Sequence, residues 1–133
     1  MQSVAVVEPD SVPEPRRLLV RPWEDPVLDH QGHDPRSAYT ETFWLPLLGP
    51  SATFLARKLA GGLELDPGGF SLPADDAARS LGLGAKEGRR SPLNRTLGRL
   101  AQFRLVYLDG DDVVLARRRF PGLRRPQVLK LTP

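Results

Sequence analysis

The stretch from Ser91 to Arg119 constrains this chain more than any other, because it joins a marked helix start to a helical apolar period and then to two short apolar runs around an acidic turn. Ser91 is placed to accept from the free amides of a first helical turn, and Pro92 suits the first helical position, where a missing N–H is not needed. Leu93, Leu97 and Leu100 recur on one side, whereas Asn94, Arg95, Gly98, Arg99 and Gln102 gather on the other. The spacing predicts a helix over 92–104, followed by a β-hairpin with its tip at Asp109, Gly110, Asp111 and Asp112. A face of arginine and amide groups is what a helix needs in a major groove, since arginine pairs bidentately with guanine and Asn or Gln with adenine. A solvated surface helix carries similar charge, and the period alone does not separate the two.

Charge is unevenly distributed. Residues 1–66 hold six basic against ten acidic side chains, and residues 67–133 thirteen against six, so the halves carry −4 and +7. A basic half of this kind is the electrostatic footprint of a nucleic-acid partner, because each phosphate neutralised releases condensed counterions. Sixteen of the nineteen basic residues are arginine, which suits phosphate and base edges better than lysine, although a GC-rich genome also raises arginine, proline and glycine. With no cysteine, disulfides and thiolate metal sites are excluded. There is no apolar run of membrane-spanning length and no basic-then-apolar leader pattern, so a soluble cytoplasmic protein is the expectation.

Residues 1–33 contain Pro9, Pro13, Pro15, Pro22 and Pro26 without a sustained apolar period, and read as a flexible Pro-rich arm. Leu18, Leu19, Val20, Trp23, Val27 and Leu28 within it suit a strap lying across the domain. Asp34 and Pro35 open an expected helix over 35–45, interrupted by Pro46. Phe54, Leu55, Lys58 and Leu59 mark a second helix, expected to stop at Gly61 and Gly62. A turn at 66–69, a short strand at 70–72 and a helix over 73–83 ended by Gly82 complete the reading.

Ala77-Ala-Arg-Ser-Leu-Gly-Leu83 resembles the first helix of a helix-turn-helix, and Arg95-Thr-Leu-Gly-Arg-Leu-Ala-Gln-Phe-Arg-Leu-Val106 resembles a recognition helix leading into a wing. Together they resemble the winged helix-turn-helix DNA-binding family over residues 50–118. The resemblance implies a mainly α protein with a small β-hairpin (α+β), organised as an arm (1–33), a winged-helix domain (34–120) and a basic extension (121–133). Two departures stand out: the turn 84–90 is longer than the usual tight connection, and the acidic hairpin tip would be repelled by phosphate.

On this reading Arg89, Arg90 and Ser91 flank a helix N-terminus that already favours anions, and Asn94, Arg95, Arg99 and Gln102 contact bases. Arg117, Arg118, Arg119, Arg124 and Arg125 are further phosphate candidates, although strand alternation lets at most two of the triplet face one ligand. His30 and His33 lie in a proline-rich segment without further nitrogen or sulfur ligands, so no metal is expected there. The glycines at 82, 84 and 88 miss the dinucleotide spacing, and no nucleophile–base arrangement is visible, so neither a cofactor nor an enzyme is expected. Double-stranded DNA is the expected partner of a nucleoid-associated transcriptional regulator or chromosome factor. The alternative is a winged-helix protein-interaction module in a replication, transcription or chromosome-organisation complex. A homodimer or protein partner through the arm and a Tyr39, Phe43 and Trp44 surface fits either.

Overall fold

The computed structural model describes residues 16–83, 91–110 and 112–123. Its first element corrects the reading of the N-terminal segment. Arg17–Pro22 (β1) lies inside a four-stranded sheet, with Leu18 and Val20 buried and Arg17, Leu19 and Arg21 on the opposite face. The run Leu18-Leu19-Val20 hides this alternation, because Leu19 is apolar yet faces outward. β1 pairs antiparallel with Phe70–Pro73 (β2) and parallel with Val113–Ala116 (β4), which closes a hairpin with Val106–Asp109 (β3). The sheet order is thus β2-β1-β4-β3.

After β1 comes a second unexpected element, the short helix Pro26–Gln31 (α1). Asp25 caps it by accepting from the Leu28 amide at 3.1 Å, and Pro26 occupies the first turn. The next helical segment is a π-turn over Thr40–Trp44 that runs into Leu45–Leu48 (α2). Pro46 therefore does not interrupt it. The Leu45 amide reaches back to the Thr40 carbonyl, a wider register in which a proline without an N–H is tolerated. Pro50–Leu65 (α3) likewise runs through Gly61 and Gly62 instead of stopping there. Gly62 serves packing: a Cβ on it would collide with the Phe70 ring.

Ala74–Ser80 (α4) ends as expected at Gly82, whose φ of 71° lets the Leu83 amide bond back to the Ala78 carbonyl at 2.8 Å. Pro92–Gln102 (α5) begins at the Ser91 cap, and the hydroxyl accepts from the Asn94 amide at 3.1 Å. It stops two residues short of expectation because Arg104 adopts a left-handed φ of 59°, and the Leu105 amide returns to the Leu100 carbonyl at 3.0 Å.

The protein is therefore α+β, with helices on one face of the sheet. Leu55, Leu59 and Leu63 of α3, Leu93, Leu97 and Leu100 of α5, and the small Ala77 and Ala78 of α4 close over Leu18, Val20, Val106 and Val114. Each fully buried leucine or valine contributes roughly 1.5–3 kcal/mol of transfer free energy, which fixes the orientation of α5. Trp44, expected at the surface, is buried: it donates from Nε1 to the Pro121 carbonyl at 3.0 Å and meets Phe103 and Phe120 edge-on. Tyr39 stacks on His33 at 3.7 Å, touches Phe43, and accepts on its hydroxyl from the Leu123 amide. These aromatics hold the helices to the segment after β4 and do not form an open partner surface. No helix among the described residues is long and apolar enough to cross a membrane.

Candidate nucleic-acid interface

Burial of the three leucines turns the other side of α5 outward. Arg95, Gly98, Arg99 and Gln102 are all exposed and fall on one stripe, three and four residues apart. A Cβ at Gly98 would meet nothing within 4 Å, so the glycine leaves this stripe low without being needed for internal packing. Arg99 donates to the Leu47 carbonyl at 2.5 Å, with its guanidinium 5.2 Å from the Phe103 ring centre. Arg95 and Arg99 together line a shallow groove of about 280 Å³ whose other wall includes Leu48 at the end of α2 and Ser51 and Ala52 at the start of α3. The first-turn amides of that 16-residue helix add partial positive charge to the two guanidiniums.

Other candidates are placed differently. Ser91 is buried and its hydroxyl is occupied by the cap, so it positions the helix and does not contact a ligand. Asn94 is half-buried and accepts from Arg16 Nη1 at 2.7 Å, while Arg16 Nε bonds Asp112 at 3.0 Å. Arg16 thereby ties α5 to the hairpin tip and neutralises one of its acids. Arg89, Arg90, Arg124 and Arg125 lie outside the described residues.

The arginines after β4 are engaged by the N-terminal segment. Arg117 donates to Asp25 at 3.1 Å and to the Arg104 carbonyl at 2.7 Å, and its guanidinium lies 3.9 Å from the centre of the Trp23 ring. Arg118 bonds both Glu24 and Asp29, at 2.9 and 2.5 Å. Among the described residues, Arg119 donates to the Gly32 carbonyl at 3.3 Å. The hydrogen bond from the Leu28 amide, aided by Arg117, holds the Asp25 carboxyl below its ordinary range, and Asp29 raises the pKa of Arg118. Among the described residues, Asp29 Oδ1 and Arg118 Nε are buried without hydrogen-bond partners, as the second halves of a fork of which one bond is made. The phosphate role expected of Arg117 and Arg118 thus competes with acids of the chain itself.

The acids that capture Arg117 and Arg118 were missed in the sequence. Their signal was present: Asp25-Pro26 is the same cap-then-proline pair as Ser91-Pro92. Among the described residues no cluster of three or more His, Cys, Asp or Glu side chains could hold a metal. Comparison of the chain with family models, curated proteins and solved structures returned no match in any of the three.

Proposed function

We propose that this protein is a double-stranded DNA-binding module of the winged-helix type, with α5 entering the major groove. The order α3-β2-α4-α5-β3-β4 supports the fold reading, with β3 and β4 as the wing and β1 an added strand between β2 and β4. The observation that carries the functional reading is the exposed stripe of Arg95, Gly98, Arg99 and Gln102 over a buried leucine face. Arg95 and Arg99 read guanine or phosphate, Gln102 reads adenine, and the first turn of α3 draws an adjacent phosphate. With Asp109 exposed near its tip, the hairpin stays out of the minor groove. A role in transcription or chromosome organisation, in the cytoplasm at the nucleoid, follows from this reading.

The test is fluorescence anisotropy of the full chain with a duplex library across a salt series. Two to four phosphate contacts correspond to a log–log slope of about −2 to −4. Binding no tighter than that of a domain matched only in charge would end the proposal. A winged-helix protein-interaction module is the second reading, favoured by the capture of Arg117 and Arg118 by the chain's own acids.

A further inference from the structure

The helices cover only one face of the sheet. On the other, β1 presents Leu19, which is 42% exposed, and the exposed Arg21, β3 presents Tyr107 at 55% with the Trp23 ring edge-on to it at 6.1 Å, and the half-buried Val113 and Leu115 of β4 lie between the two strands. Strand register arranges these side chains in rows. One row reads Ser71, Leu19, Val113, Asp109 across β2, β1, β4 and β3. Its β2 end is basic, because Arg17 donates from Nε to the Ser71 hydroxyl at 2.7 Å, and its β3 end is the Asp109 carboxylate. Neither Arg17 nor Asp109 has an ion-pair partner among the described residues.

A row that is basic at one end, apolar in the middle and acidic at the other is complementary to itself when reversed. We propose that this face binds a second copy of the chain about a two-fold axis running along the strands between β1 and β4. That operation sets β2 opposite β3 of the second copy and β1 opposite β4. Arg17 then meets Asp109 of the second copy twice over, Leu19 packs on Val113, and Tyr107 lies over the Gly69 end of β2, where the Arg21 side chain, whose Cγ would stand 3.5 Å from a Cβ on Gly69, presents a cation to the ring. An arrangement with the axis across the strands brings Arg17 no acid at this register. Aliphatic residues at the centre and an acid at the rim also suit a protein partner better than a polyanion.

Sedimentation equilibrium of the full chain from micromolar to millimolar concentration tests this, with circular dichroism melts confirming that each variant folds. The wild type sediments as a dimer. Arg17→Glu and Asp109→Arg each raise the dissociation constant by at least about tenfold, since each places like charges at two symmetric contacts, and the double reversal returns it to near wild type. Leu19→Glu, on an exposed side chain, gives a monomer even if a charge variant fails to fold. A wild type that is monomeric throughout, or a dimer indifferent to the single reversals, overturns the proposal. So does stoichiometric binding of single-stranded oligothymidine that quenches Trp23 and survives Arg95→Ala, which would assign the face to nucleic-acid stacking instead.

Discussion

Arg95 and Arg99 are exposed on α5, and Arg99 is held by an uncharged carbonyl and the Phe103 ring, whereas Arg117 and Arg118, one hairpin later in sequence, are gripped by the carboxylates of Asp25, Glu24 and Asp29. The sequence offers no local sign of the difference, since both groups are arginine-rich and both lie in the basic half. What separates them is tertiary: insertion of β1 between β2 and β4 draws the acidic segment from Glu24 to Asp29 against the end of β4. A basic run therefore reports charge available to a partner only after the acids folded against it are subtracted.

The comparison is sharpest if the two groups fail in different assays. On the proposed reading, replacing both Arg95 and Arg99 by alanine removes two base or phosphate contacts, each worth roughly 1–3 kcal/mol, so duplex affinity falls by about thirtyfold or more while stability drops by only about 1 kcal/mol, for the Arg99 bond to the Leu47 carbonyl and its contact with Phe103. A large loss of stability instead would mean that the α5 arginines are structural and would erase the contrast. Arg117→Ala is expected to do the reverse. It deletes two hydrogen bonds and the cation–π contact with Trp23 and leaves Asp25 without its cation, which together cost about 2–3 kcal/mol in a urea titration. Duplex affinity of the folded fraction should stay within about twofold of wild type, because the charge of Arg117 is already neutralised by the Asp25 carboxylate, as that of Arg99 is not by a carbonyl.

Those two outcomes also separate what was readable in the sequence from what was not. The course of α5 was readable because cap, proline and leucine period are all local, and the same holds for the β3–β4 hairpin and the Gly82 stop of α4. β1 was not, since its partners lie some fifty and ninety residues away and its prolines and outward Leu19 mask a period of two. Trp44 was misplaced for a related reason: its partner, the Pro121 carbonyl, lies 77 positions on. Asn94 belonged to the polar face by spacing, but its bond from Arg16 depends on where the chain passes before β1.

Acid sharpens the contrast further. The Asp25 carboxyl is held low first by the Leu28 amide and then by Arg117, and Asp34 is held low by Arg36 through both its side chain and its amide. For groups whose folded pKa is depressed, the stabilisation is complete above the ordinary value of 3.8 and is lost as pH falls through the folded value. Below about pH 4, α1 and its grip on Arg117 should therefore loosen before the leucine core melts. Trp23 fluorescence is expected to change at higher pH than the far-ultraviolet circular dichroism, and in Asp25→Asn, which keeps a capping oxygen without the charge, the step should flatten. Coincident acid transitions in the wild type would show that the acidic clamp and the helical core are one cooperative unit.

The smallest expected effect sits where the two regions meet. Arg104 ends α5 in a left-handed conformation that costs a non-glycine residue on the order of 1 kcal/mol, and its carbonyl accepts from Arg117. Its exposed side chain has no ion pair among the described residues, so Arg104→Gly relieves the strain while leaving the backbone acceptor in place. Glycine also loses more entropy on folding, which cuts the gain to about 0.5 kcal/mol. That gain should persist in an Arg117→Ala background if the strain is intrinsic to the helix end. If it grows or vanishes there, the Arg117 bond is what holds Arg104 in the left-handed region, and the link from the acidic clamp to the end of α5 is energetic as well as geometric.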